Sequence, residues 1–148
     1  MTKSQKVFVL VIGLFILSVA WFTFLGRDQA SPQTFSATVH RDCAPWDGAA
    51  FTVRVPMSDG TLIDISIWQS PDIMFSKTFS FPDDTGQVGN AILIHPVGLP
   101  DVLSGDVAFQ RVQAGMPIEG RFNFTSEGGG RFEGQFLAEW DEQVVMCG

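Results

Sequence analysis

Two patterns of apolar and polar residues divide the chain. Val7–Gly26, VFVLVIGLFILSVAWFTFLG, runs for twenty residues without a charge. From Phe35 onward there is no helical period, and apolar residues recur at every second position, the period of a half-buried strand. The first pattern predicts one helix able to cross a hydrocarbon core about 30 Å thick at a rise of about 1.5 Å per residue. The second predicts an all-β domain.

Within the β region, Phe35–Val39 reads as a short strand. Phe51, Val53, Val55 and Met57 alternate with Thr52, Arg54 and Pro56. After the Ser58-Asp59-Gly60-Thr61 turn signal the alternation resumes as Ile63, Ile65 and Ile67 against Asp64 and Ser66, which predicts a hairpin over residues 51–67. Phe79 and Phe81 suggest a further strand before the Pro82–Gly86 loop. Gly89–His95 is an apolar strand ended by Pro96, and Pro100–Gly105 is expected to turn the chain into Val107–Val112.

The closing segment carries the most pattern. Ile118, Gly120, Phe122 and Phe124 share one face of a strand; after the Gly128-Gly129-Gly130 tip, Phe132, Gly134, Phe136, Ala138 and Trp140 share one face of the next. Placing Phe124 opposite Phe132 sets Phe122 against Gly134 and Gly120 against Phe136. Each glycine is then expected to lie under a ring from the facing strand. Such small-against-large pairing permits sharp curvature, so the predicted fold is an antiparallel β-sandwich or partly open barrel, preceded by one N-terminal transmembrane helix. This Gly- and Phe-patterned hairpin resembles the closing hairpin of bacterial envelope β-proteins, many of them lipoproteins. The resemblance spans about 25 residues and implies an exported bacterial all-β domain. It brings no functional residues with it.

Charge orients the apolar run. Lys3 and Lys6 precede it, whereas Arg27 and Asp28 follow and cancel, so the positive-inside rule places residues 1–6 in the cytoplasm. Residues 7–26 are then a signal-anchor helix, 27–34 a polar linker with one proline, and 35–148 a domain on the periplasmic or extracellular side of a bacterial cytoplasmic membrane. The rival reading is a cleaved signal peptide, since Ser18-Val19-Ala20 has the small residues that signal peptidase requires. Trp21, Phe22, Phe24 and Leu25 would then be left at a new N-terminus. No Cys follows the run, which speaks against a lipoprotein signal. Gly13 has Val9 and Leu17 four positions away, so a small-xxx-small helix-pairing face is not supported.

Composition narrows the partners. The chain has 16 Asp and Glu against nine Lys and Arg. Lys3 and Lys6 precede the apolar run, which leaves −9 on the part beyond it. That balance argues against nucleic acid, whose phosphates are neutralised by Lys and Arg, and against an anionic lipid surface. The membrane, through residues 7–26, and other envelope proteins are the expected partners. With 14 Phe, four Trp and no Tyr, the core should be filled with flat rings.

Cys43 and Cys147 stand near the two ends of the β domain. An isolated pair in an exported domain is expected to form a disulfide, and their spacing is far from C-x-x-C. The sequence points to no metal site and no cofactor. Ser residues lie outside any G-x-S-x-G elbow, and His40 and His95 are the only imidazoles. Asp83-Asp84 and Asp141-Glu142 are sequence neighbours that point apart on a strand, and they read as solvated loop acids. No catalytic constellation is found, so an enzyme is not the expectation.

Two tryptophans are candidates for an interaction surface. Trp46, in Cys43-Ala-Pro-Trp-Asp-Gly, either lies exposed or packs over the disulfide. Trp68 has the parity of Asp64 and Ser66, so it lies on the polar face of its strand, where a ring marks an interface or covers a second sheet. The function expected from these features is an interaction module or accessory subunit of an envelope complex. The alternative is a small apolar-ligand or lipid-binding β domain.

Overall fold

The computed structural model describes residues 33–141 and 145–147. The Val7–Gly26 run lies outside them. Among the described residues no helix is long and apolar enough to cross a membrane.

Eight strands follow one another: β1 (Thr34–Cys43), β2 (Ala49–Pro56), β3 (Leu62–Ile67), β4 (Phe75–Phe81), β5 (Gly89–Ile94), β6 (Asp101–Val112), β7 (Ile118–Ser126) and β8 (Arg131–Trp140). Seven of them, in the order β6-β5-β3-β2-β1-β8-β7, close on themselves through the β6–β7 pairing, and β4 adds to β6 from outside this ring. The fold is therefore all-β and a closed barrel. The ring closes because β1 and β8 pair in parallel, with Phe35 beside Phe136 and Ala37 beside Ala138; every other pairing is antiparallel. A parallel contact between the first and last strands joins the two ends of the domain and leaves fewer free edges.

The alternation read from the sequence governs the core. Phe51, Val53 and Val55 face Ile67, Ile65 and Ile63 across the β2–β3 hairpin, and all six are fully buried. In the closing hairpin Phe124 faces Phe132, Phe122 faces Gly134 and Gly120 faces Phe136, the expected register. Rings then meet rings: Phe109 lies within 6 Å, centroid to centroid, of Phe51, Phe79 and Phe136. Burying one such side chain stabilises by about 1.5–3 kcal/mol, so this cluster supplies much of the driving force for folding.

Three expectations need correction. The β1 strand runs on from Val39 to Cys43, because β2 continues to pair with it through Cys43 and Ala49. Gly105 does not end a turn but lies inside β6, at a φ of 140°. A Cβ there would collide with the Asn123 carbonyl and lie 3.0 Å from Phe124 Cα, so glycine lets β6 and β7 approach closely where a side chain could not. Gly120 lies under Phe136, as the register implies, but the ring over Gly134 is that of Phe35. The parallel neighbour β1 supplies it, not the hairpin partner.

The strand β6 changes partners along its length. Against β5 it makes only the pairs Ile92–Val102 and Leu93–Asp101, and from Gly105 onward the same edge is taken by β4. A bulge at Gln110 puts two β6 residues against one on β7. This shifts the alternation so that both Phe109 and Val112 face inward.

The pairings also sort the loops between two ends of the barrel. One end carries the β1–β2, β3–β4 and β6–β7 loops, the end of β8, and the Cys43–Cys147 disulfide, whose Cα atoms are 5.6 Å apart. The other carries the β2–β3, β5–β6 and β7–β8 turns and the start of β1.

Candidate functional site

The structure brings together the two tryptophans that the sequence marked separately. Trp46 sits in the β1–β2 loop, which closes through Ala44 N–H to Gly48 O at 2.8 Å and Asp47 N–H to Ala44 O at 2.9 Å. Asp47 takes a φ of 61°, a conformation that Asp tolerates better than most residues. A Cβ on Gly48 would lie 2.8 Å from Trp46 Nε1, so the indole folds back over its own loop. Trp68 follows β3 and donates its backbone N–H to Val88 O at 3.0 Å. The two rings meet edge to face, with centroids 5.6 Å apart and planes at 83°, a favoured arrangement for aromatic pairs. Trp46 remains 53% exposed and Trp68 is half-buried.

Near the same end the outer face of β1, β2 and β3 is polar and closed by hydrogen bonds. Asp42 accepts from the Cys43 N–H at 2.8 Å and from the Thr52 hydroxyl at 2.9 Å, and Thr52 lies 2.9 Å from the Ser66 hydroxyl. These contacts use the residue next to the disulfide to hold β1, β2 and β3 in register.

The neighbouring loops are tied to one another. Arg41 donates to both oxygens of Asp72, at 2.7 and 3.3 Å. That hydrogen bonding, with a further one from Ser70, holds the Asp72 carboxyl below the usual carboxylate range. The Arg41 guanidinium also lies 6.0 Å from the Trp140 ring centroid. Trp140 donates its indole N–H to Met116 O at 2.7 Å, and Ala114 N–H donates to Pro71 O at 3.0 Å. The β3–β4 and β6–β7 loops are thus held together, and they expose Ile73, Met74 and Met116 at the same end as Trp46. No periodicity marks these three residues, which lie in loops.

The other sequence candidates fall elsewhere. His95 lies at the opposite end of the barrel, 3.1 Å from Asp101 Oδ2. Asp83, read from the sequence as a solvated acid, accepts from the Thr85 hydroxyl and from the Thr85 and Gln87 N–H groups, so it staples its own loop. Among the described residues no group of three or more His, Cys, Asp or Glu could hold a metal ion.

A second concavity was not legible in the sequence. On the outer face of β4, β6, β7 and β8 lies an open groove of about 510 Å³, lined by Lys77, Arg121, Gln110, Gln135, Ser76 and Thr78 around Ala108. It is polar, unlike the apolar site that a lipid binder would need. The barrel's interior, where the alternative apolar-ligand reading would place its ligand, is occupied by packed Phe rings and aliphatic side chains. No family model, curated protein or solved structure matches this chain.

Proposed function

We propose that this protein is an interaction module of the bacterial cell envelope. In this reading residues 7–26 anchor it in the cytoplasmic membrane, the N-terminus is cytoplasmic, and the barrel lies on the outer side. The observation that carries the reading is the Trp46–Trp68 pair, with Trp46 exposed and held edge to face against the half-buried Trp68. It shares one end of the barrel with Ile73, Met74 and Met116, on loops tied to one another. Indole rings held in place lose little entropy on association, which is why Trp is enriched among residues that dominate binding energy. The disulfide supports export, because such bonds persist in oxidising compartments. The charge-free Val7–Gly26 run behind Lys3 and Lys6 supports the anchor.

The test is gentle detergent solubilisation of native membranes, native-size separation and mass spectrometry. The wild-type chain is expected to travel in a stoichiometric complex that Trp46→Ala and Trp68→Ala weaken while the melting temperature holds. Unchanged association in both variants would remove the contact surface from consideration. The N-terminal mass from the same experiment distinguishes an anchor from cleavage after Ala20. The ligand-binding alternative has no comparable observation behind it, since packed rings occupy the interior.

A further inference from the structure

The end of the barrel opposite the tryptophans carries one apolar projection. The β5–β6 loop, Pro96-Val-Gly-Leu-Pro100, contains no charge, and it displays Val97 at 91% and Leu99 at 86% exposure. The other turns at this end are polar or glycine-rich, with Asp59 and Gly60 in one and Glu127 to Gly130 in the other. Two bare aliphatic side chains at the tip of a loop flanked by prolines gain nothing from water. They bury apolar area only against something outside the barrel.

We infer that this loop seats the barrel on the bilayer, with Val97 and Leu99 inserted at the level of the lipid headgroups. The inference rests on the anchor reading given above, and the topology adds the direction. The β1 strand starts toward this same end, with Thr34 beside Gln135 in the middle of β8. The chain preceding residue 33 therefore enters the barrel toward the end that carries Val97 and Leu99. Between the apolar run and β1 stand only residues 27–33, which span at most about 25 Å fully extended. That tether keeps the loop at high effective concentration near the lipid, so even a shallow apolar insertion is populated. Asp59, Asp101 and Glu127 lie at this same end, so the contact is apolar and not electrostatic and is expected on uncharged lipid. Seating this end on the membrane turns the Trp46–Trp68 end outward, where a partner protein can reach it.

The test uses the full chain with its disulfide intact, reconstituted into phosphatidylcholine vesicles and floated on a density gradient. An environment-sensitive fluorophore is attached at Leu99→Cys in one sample and at Ile73→Cys, at the opposite end, in another. Both side chains are exposed, so neither change touches the core. Seating predicts that the label at 99 is blue-shifted, several-fold less accessible to aqueous iodide than the label at 73, and quenched by lipids brominated on their acyl chains. Equal accessibility of the two labels in floating protein would overturn the seating and leave the anchor standing. Protection from iodide without quenching by bromolipid would mean that protein, such as a second copy of the chain, covers the loop, which also overturns it. Protein that fails to float would remove the anchor, and the seating with it.

Discussion

The ring of Phe35 lies over Gly134, so that a Cβ on Gly134 would come within 2.5 Å of Phe35 Cε2 and 3.0 Å of the Gln33 carbonyl oxygen. Two strands parallel to each other and from opposite ends of the domain are thereby packed more closely than any side chain at 134 would allow. Gly134→Ala should destabilise by about 1–3 kcal/mol, the usual range for overpacking. Thermal melts of the detergent-solubilised chain would show it as a lowered melting temperature. Phe35→Leu should cost stability by itself yet recover part of the Gly134→Ala loss, whereas Phe122→Leu should not. Equal recovery by both would mean that the ring over Gly134 has been misassigned.

The disulfide joins residues 104 apart in sequence. It links the end of β1 to the tail that follows β8, and closing so long a loop restricts the unfolded chain. Cys43→Ser with Cys147→Ser is expected to cost about 2–5 kcal/mol. Unfolding with and without reductant should show the same loss in the wild type, and no reductant effect in the double variant.

On the outer face of the β2–β3 hairpin, Arg54 donates to both oxygens of Asp64, at 2.8 and 2.6 Å. The hydrogen bonding to Asp64 raises the Arg54 pKa further above its ordinary value. The Asp64 side chain is only 9% exposed while that of Arg54 is 43% exposed. Removing the cation therefore leaves a nearly buried carboxylate without its partner. Arg54→Met should cost about 1–3 kcal/mol, and the double change Arg54→Met with Asp64→Leu should cost less than the single one. A double variant no more stable than the single would show that the pair's worth is not in satisfying Asp64.

Besides Asp72, acid should weaken the fold through two further loop carboxyls. The Thr61 hydroxyl and backbone N–H hold Asp59 below the usual carboxylate range, and the Thr85 hydroxyl with nearby backbone N–H groups does the same for Asp83. Both groups bind protons less readily folded than unfolded. Their contribution is complete above the unfolded value of about 3.9 and is lost as pH falls through the lower folded values. The melting temperature should owe these groups no pH dependence near neutrality and should drop below about pH 4. Thr61→Val should make that drop shallower, a result read directly from melts between neutral and acid pH.

Much of the fold was legible because strand periodicity reports directly on burial. In 51–67 and 118–140 the buried face of each strand follows from which side must leave water, and a register slip of one residue would expose every core side chain. The disulfide was legible for a different reason: two cysteines in one small domain have only each other to bond. Single positions such as Trp68 could be marked as out of keeping with their strand.

Relationships between strands distant in sequence were decided only by the tertiary structure. Local alternation says which side of a strand faces inward but not which strand lies beside it. The β1–β8 parallel pairing, the Phe35 ring over Gly134, and the exchange of β5 for β4 along β6 are all lateral choices, settled by closing the sheet around a fixed volume of rings. For the same reason the sequence could name Trp46 and Trp68 but could not bring them together. Their contact depends on β2 standing between their strands and holding both loops at one end of the barrel. The sequence by itself determined the all-β character, the hairpin registers, the buried face and the disulfide, because each follows from local burial or from the lack of another partner. Closure, and the two dissimilar ends that closure creates, belong to the tertiary structure, because they arise only when strands far apart in the chain compete for the same edges.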